Sequence, residues 1–196
     1  EVIVPARALS ELSRISAMFD NEEEGVEVEI TITETRNQIL FHLPTVDLVS
    51  QLIEANFPEY SKIIPQKYNT RTVVNTRSFL EAVQRAHLFA RDAANIVRLQ
   101  IAPSESGLGD GEIAAGLMTL TATSAELGDN VSQIDAMVEG DPAEIAFNAR
   151  FLIDALSRIN TPEVALETTQ PGRPGVLRMI GSEDFIHVIM PMHTPR

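Results

Sequence analysis

The side chains best suited to chemistry in this sequence are seven arginines in three short stretches. The stretches are residues 5–19, 75–91 and 148–160, and the arginines are Arg7, Arg14, Arg77, Arg85, Arg91, Arg150 and Arg158. Guanidinium groups stay ionised and offer several hydrogen-bond donors, so they suit phosphate groups. Against three acids the stretches carry a net charge of +4, whereas the other 151 residues carry −17 of the total of −13. The positive charge is therefore concentrated in particular elements.

Each of the three stretches has the pattern of an amphipathic helix. At ~100° per residue, Arg7 and Arg14 fall about 20° apart, the arginines of the second stretch share about 120°, and Arg150 and Arg158 lie about 80° apart. Apolar residues occupy the opposite sides. One such helix is usually only a solvated surface helix, and the net charge of −13 by itself argues against nucleic acid. Three arginine-biased helices nevertheless favour a polyanionic partner, because local potential steers such a partner more than net charge does.

The sequence gives little support for a catalytic site or a metal-binding site. The four histidines (His42, His87, His187 and His193) lack metal-ligand spacing, and the sequence contains no cysteine. It also lacks phosphate-loop, dinucleotide-binding and serine-nucleophile motifs. We therefore expect no catalytic residue, no metal site and no cofactor. Because no apolar run approaches ~18 residues and the start lacks a basic segment, we expect a cytoplasmic protein.

A repeat of about 70 residues organises the elements that carry the arginines. Residues 3–7, 73–77 and 146–150 each place two apolar residues, then Pro or Asn, a small residue and Arg at the start of a helical pattern. Asn75 and Asn148 are suited to the N-cap position and Pro5 to the first helical turn.

Period-two patterns between the helices predict antiparallel strands. Residues 26–33 alternate strictly, and a second apolar run at 38–43 follows a short polar stretch, which predicts a hairpin. Loops are predicted at 104–111 and 170–175. The fold class is therefore α+β, with repeated units of one helix and several antiparallel strands. Further strands are predicted at residues 96–101, 117–122, 163–168, 176–180 and 185–190.

Four short segments provide a further indication: residues 2–5, 57–65, 144–152 and 188–192. Together they resemble the bacterial DNA sliding clamp family, the β subunit of the replicative DNA polymerase. Their order and spacing match over essentially the whole chain. The resemblance implies the DNA clamp fold, with residues 1–69 as the second half of clamp domain 2 and residues 70–196 as clamp domain 3.

The resemblance also implies partners and sites. Such clamps encircle double-stranded DNA without reading its sequence, and they form head-to-tail homodimeric rings that hold the replicative polymerase, the clamp loader and other proteins through short peptides. The peptide-binding cleft would comprise Pro58, Lys62, Ile63, Asn148, Phe151, Pro174, Gly175, Val188, Ile189, Met190, Pro191 and Met192. The seven arginines would face DNA. Because the family's ring interface joins a first domain to a third and the first domain is absent, this chain alone is not expected to close a ring. Because a Thr-Asp-Gly-His-Arg segment that builds one wall of the cleft is also absent, peptides are expected to bind less tightly than to an intact cleft. The alternative is a peptide-binding module only.

Overall fold

The computed structural model describes residues 2–19, 27–57, 59–104, 113–182 and 184–193. The chain forms two compact units, Glu1–Glu59 and Tyr60–Arg196. They divide ten residues before the predicted boundary at 69/70, and the assignment of the two parts to clamp domains stays a prediction. Most of the loop predicted at 104–111 lies outside the described residues, as do Val26 and Pro58.

Among its described residues, the first unit contains one helix followed by three strands. Helix α1 spans Ala6–Ser16, directly after Pro5, and continues as a 3-10 turn over Ala17–Phe19. Strands β1 (Glu29–Ile32), β2 (Gln38–Leu43) and β3 (Val46–Gln51) form an antiparallel sheet in that order. The predicted hairpin is confirmed as the β1–β2 pair. Ile39, Phe41 and Leu52 form the small buried core of the first unit.

The second unit contains the same succession of elements twice. After a 3-10 turn at Tyr60–Lys62, the first repeat runs through β4 (Thr70–Asn75), helix α2 (Thr76–Ala90), β5 (Ile96–Pro103), β6 (Ala114–Ser124) and β7 (Gly128–Gly140). The second repeat runs through β8 (Ala143–Asn148), helix α3 (Ala149–Leu156), β9 (Glu163–Thr168), β10 (Gly175–Met179) and β11 (Ile186–Ile189). The predicted α+β class, with repeated helix-plus-antiparallel-sheet units, is confirmed.

The two repeats of the second unit are joined reciprocally. Its eight strands lie in the order β11-β10-β9-β4-β7-β6-β5-β8. The strand that enters each helix pairs with the strand that follows the other helix: β4 with β9, and β8 with β5. β4 also pairs with β7 of its own repeat. The counterpart in the second repeat is a hydrogen bond of 2.8 Å from the Met192 N–H, just beyond β11, to the Ala146 carbonyl of β8.

Both helices of the second unit pack on one continuous core. Phe79 and Val83 of α2, Leu152 of α3, and Leu120 and Leu166 of the sheet are fully buried members of it. No helix among the described residues is long and apolar enough to span a membrane.

Four strands were not predicted. β4 and β8 were interpreted only as the entrances to helices, because their apolar residues continue directly into the helical pattern. β3 follows β2 after a turn at residues 44–45, and β7 alternates small or polar residues with few large apolar ones. The sequence patterns of these four segments do not indicate strands. They are strands in the structure because they pair with neighbouring strands.

Candidate functional site: an arginine-bearing helix pair and an adjacent strand end

Helix α2 begins and packs as its sequence predicts. The Asn75 side chain accepts a hydrogen bond of 3.0 Å from the Ser78 N–H, which satisfies one of the free donors of the first turn. One face carries Phe79, Ala82, Val83, Ala86 and Ala90, all completely buried. The opposite face is left to solvent.

Helix α3 repeats this arrangement. The Asn148 side chain accepts a hydrogen bond of 3.0 Å from the Arg150 N–H. Ala149, Leu152, Ala155 and Leu156 are its buried residues. Both predicted asparagine N-caps are confirmed, and each fixes the position of an arginine in the first helical turn.

The two helices lie side by side with opposite directions. The first N–H of α2, from Thr76, donates to the carbonyl of Pro162 beyond α3 at 2.9 Å. The first N–H of α3, from Ala149, donates to the carbonyl of Asn95 beyond α2 at 2.7 Å. The start of each helix is thereby held at the end of the other. Because both bury one side in a shared core, their exposed faces point to the same side of the unit.

The five predicted DNA-facing arginines of this unit lie on or just beyond those exposed faces. Relative to the buried stripe, Arg77 and Arg85 of α2 and Arg150 of α3 fall on the far side of their helices. Arg91 directly follows the end of α2, and Arg158 lies two residues beyond the end of α3. All five are exposed. In the other unit Arg7 and Arg14 are also exposed, on α1.

Ion pairing separates the arginines into two groups, which the sequence did not reveal. Arg77 pairs with Glu81 at 2.9 Å and Arg14 with Glu11 at 2.9 Å, each within its own helix. Within the described part of the chain, the other predicted DNA-facing arginines form no ion pair. These free guanidinium groups, which are the ones best placed to accept an anion from solution, belong to Arg7, Arg85, Arg91, Arg150 and Arg158.

Acidic side chains of the second unit lie on the opposite surface of its sheet. Asp135, Glu139 and Glu163 alternate along their strands with buried residues, so they point away from the helices. Glu167 on the same surface is held by Arg178 at 2.8 Å and by Arg71 at 3.6 Å. The second unit therefore has a cationic helical side and an acidic sheet side.

Part of the predicted peptide cleft is brought together where β8, β10 and β11 meet. Gly175 pairs with Ile189 in the β10–β11 ladder, next to the Val176–Val188 pair. The Met192 N–H bonds to Ala146, two residues before Asn148. This part of the site rests on contacts between residues far apart in the sequence.

The apolar side chains at this strand end differ in their exposure. Phe151 and Met190 are 56% and 61% exposed. Val188, Pro174, Pro191 and Met192 are half-buried. Ile189 is only 2% exposed and belongs to the core, so a bound peptide could reach only its backbone. The buried Gly175 offers no side chain.

The remaining predicted cleft residues lie in another segment. Lys62 ends the 3-10 turn before β4, and Ile63 follows it with 46% of its surface exposed. Pro58 lies outside the described residues. The sequence did not predict the close contact of Gly175 with Phe147. This contact is so close that a Cβ atom at Gly175 would lie 2.6 Å from the Phe147 Cζ. Nothing local in the sequence signals this contact.

His187 lies on β11 beside the predicted cleft. Burial lowers its pKa below the usual 6.5, and the Asp154 carboxylate of α3 partly opposes this shift. The ring stacks on Phe185. Among the residues that the structure describes, no group of three or more His, Asp or Glu side chains could hold a metal ion.

Comparison with known proteins identifies the family. Residues 61–193 match the model of the DNA polymerase III beta subunit, C-terminal domain. The chain belongs to this family. The predicted resemblance to bacterial sliding clamps is thereby confirmed.

Relatives and solved structures agree with this assignment. The beta sliding clamp of Bacillus subtilis is 34% identical over 195 residues, which cover 98% of this chain and 47% of that protein. The crystal structure of the DNA polymerase sliding clamp from Bacillus subtilis superposes with a TM-score of 0.77 at 32% identity, covering 99% of this chain and 47% of the other. The DNA polymerase III beta chain of Streptococcus pneumoniae gives a TM-score of 0.78 at 28% identity, covering 98% and 47%. The chain therefore spans about half the length of the relatives it matches.

Proposed function

We propose that this chain is a portion of a DNA sliding clamp that contacts double-stranded DNA without reading its sequence and binds partner proteins through a peptide cleft. It acts by binding rather than by catalysis. The proposed partners are duplex DNA, the replicative polymerase, the clamp loader and other proteins that carry clamp-binding peptides. In a protein of the length of its relatives, head-to-tail pairing of two subunits would complete a ring.

The observation that carries the DNA role is the placement of the arginines. Two antiparallel helices present Arg85, Arg91, Arg150 and Arg158 on one side, and none of these has a carboxylate partner within the described residues. Contacts from such side chains to phosphates position a protein on DNA without sequence information. The chain's net charge of −13 opposes tight electrostatic binding, which is compatible with movement along the duplex.

The ion pairs decide which arginines should matter most. The guanidinium group of Arg77 already pairs with the Glu81 carboxylate at 2.9 Å, whereas Arg85 and Arg150 have no carboxylate partner among the described residues. We expect the double change Arg85→Glu and Arg150→Glu to weaken binding of duplex DNA at low salt by about tenfold or more. The slope of log affinity against log salt should fall by about 2, because each lost phosphate contact removes about one unit. Fluorescence anisotropy with labelled DNA of two unrelated sequences would measure both quantities.

The matched control is Arg173→Glu. Arg173 is exposed in the β9–β10 loop, so its reversal changes the net charge without altering the helix pair. This control should have a much smaller effect on affinity and on the salt slope. Equal losses from the control and from Arg85→Glu alone would assign the effect to net charge and remove the DNA role from these helices.

A second candidate function, a peptide-binding module, is favoured by the exposed Phe151 and Met190. Unbranched methionine side chains adapt to varied apolar partners. Pro191, two residues beyond the end of β11, cannot donate a backbone hydrogen bond. The same surface would therefore accept an apolar peptide whether or not the chain contacts DNA.

Methyl NMR provides the test of the peptide cleft. We expect a short hydrophobic peptide to shift the methyl signals of Met190 and Met192 and to leave Met137 unchanged. Met137 is an internal control because it is 44% exposed on the outer surface of the sheet. Phe151→Ala should weaken the response severalfold, since truncating a buried aromatic contact at an interface commonly costs more than 1 kcal/mol. Unchanged methionine signals at saturating peptide would contradict the cleft.

A further inference from the structure

Three threonines lie on the core side of two neighbouring strands of the second unit. Thr70 and Thr72 belong to β4, on the same face as the core residue Val74. Thr168 of β9 lies directly opposite Thr70, so its side chain is on that face too. The three threonines are only 0% to 3% exposed. Hydroxyl groups therefore occupy a part of the core that is otherwise apolar.

The three hydroxyl groups differ in their hydrogen bonds. The Thr70 hydroxyl donates to the Asp141 carbonyl at 2.7 Å. The hydroxyls of Thr72 and Thr168 have no hydrogen-bond partner among the described residues. A buried hydroxyl without a partner lowers stability, because it has lost its hydrogen bonds to water. Since most buried polar groups in proteins have a partner, the hydroxyl of Thr168 indicates a site that a group from outside the chain reaches.

A cavity of about 260 Å³, the threonine cavity, lies beside two of these residues. Thr70 and Thr168 line it, together with the β7–β8 turn and the start of β8. None of its lining residues belongs to the predicted cleft or to the seven arginines. β4 runs from Thr70 to Asn75, so at about 3.3 Å per residue the cavity lies about 16 Å from the start of α2. It is therefore a separate site, at the end of β4 that is remote from the arginine-bearing helices.

The charged groups of the threonine cavity are acidic. Asp141 and Glu144 are among its described lining residues, which include no lysine or arginine. Glu144 pairs with Arg98 at 3.5 Å, whereas Asp141 forms no ion pair within the described part of the chain. The Thr70 hydroxyl oxygen can still accept a hydrogen bond, because only its proton is used toward Asp141. The cavity therefore suits a cation that carries several N–H donors.

We propose that the threonine cavity binds a guanidinium group, carried by an arginine side chain of a partner protein or by free arginine. This group is planar, stays ionised and offers five N–H donors, which match hydroxyl and carboxylate oxygens. At ~30 Å³ per water-sized group, the cavity has room for about eight such groups, the size of an arginine side chain. Pro142 and Pro171 in the lining would pack against its methylene groups. This binding requires neither DNA nor the peptide cleft.

Amide NMR spectra of the 196-residue chain provide the test. The first probe is arginine with an acetyl group on its nitrogen and a methylamide at its carboxyl end. The second is citrulline with the same caps, in which an uncharged urea of nearly the same shape replaces the guanidinium group. We expect capped arginine to shift the amide signals of Thr70, Asp141 and Thr168, with a dissociation constant on the order of millimolar. Capped citrulline should bind at least about fivefold more weakly, because hydrogen bonds from an ionised donor are stronger.

Two substitutions, each with a matched control, identify the groups that bind. Thr168→Val removes the hydroxyl and keeps the shape, so capped arginine should bind severalfold more weakly. Its control is Thr72→Val, because Thr72 is equally buried and unpartnered but does not line the cavity. Asp141→Asn should also weaken binding severalfold, whereas Asp135→Asn on the outer surface of the sheet should not. Asp141 is exposed and keeps its backbone carbonyl, so this variant remains informative if Thr168→Val disturbs the fold.

Free arginine distinguishes the two sources of the guanidinium group. If capped arginine binds at least as tightly as free arginine, the source is a protein side chain; tighter binding of free arginine assigns the site to the amino acid. Unchanged amide signals with capped arginine up to about 50 mM would overturn the guanidinium site. Equal binding of capped citrulline, or equal losses from Thr168→Val and Thr72→Val, would overturn it as well. No binding together with a more stable Thr168→Val variant would assign this hydroxyl to an ordered water only.

Discussion

Replacing Phe147 with alanine is expected to lower the free energy of unfolding of the second unit by about 3–5 kcal/mol. Phe147 is completely buried and lies opposite Val97 in the β5–β8 ladder. Its ring also fills the space beside Gly175, so it joins the end of β8 to β10. The loss combines the transfer of a large apolar side chain with the cavity left behind. Equilibrium denaturation in urea would measure it.

Gly175 provides the partner variant for this prediction. Gly175→Ala alone should also destabilise the unit, because the new Cβ would lie 2.6 Å from the Phe147 Cζ. In a Phe147→Leu background the ring is gone, so the added cost of Gly175→Ala should shrink by about 1 kcal/mol or more. If the losses in the free energy of unfolding from the two changes were simply additive, the contact between Phe147 and Gly175 would have no energetic role. The buried core would then not support this part of the predicted cleft.

Gly140→Ala is the second change with a large expected effect, a loss of about 3 kcal/mol or more in the free energy of unfolding. Gly140 ends β7 with φ +92°, a conformation that side chains disfavour. A Cβ atom there would lie 1.9 Å from the Asn69 carbonyl oxygen, so the backbone before β4 must also move. Thermal and urea unfolding would quantify the loss.

Gly128→Ala separates the two causes. Gly128 has φ +82°, but a Cβ atom there would meet nothing within 4 Å. It should therefore cost only the conformational strain, about 1–2 kcal/mol. If both variants lost the same stability, the close approach of Gly140 to Asn69 would have no energetic role.

The reciprocal arrangement of the second unit links stability to the proposed function. The start of each helix is held by a carbonyl beyond the other helix, so α2 and α3 cannot shift independently. Arg150 occupies the first turn of α3, and its N–H is also the donor to the Asn148 cap. A change that loosens β8 should therefore disturb the arginine surface, Phe151 in the first turn of α3 and the segment after β11 that carries Met190.

The sequence alone predicted those features that are encoded by neighbouring residues. The three helices, the asparagine caps of α2 and α3, and the β1–β2 hairpin follow from periodicity and side-chain type within short windows. The repeat and the order of four short segments were sufficient to indicate the family. These predictions succeeded because helices and turns depend mainly on contacts within a few residues.

Only the tertiary structure determined which strands are neighbours and which side chains are free. β4 pairs with β9 about 90 residues later, and a lone apolar run does not specify such a distant partner. The burial of Ile189, the contact of Gly175 with Phe147 and the difference between the paired Arg77 and the free Arg85 all depend on packing between elements. Strand pairing and burial depend on contacts between distant parts of the chain. They therefore follow from the packing of the two repeats against each other and not from the local sequence of either repeat.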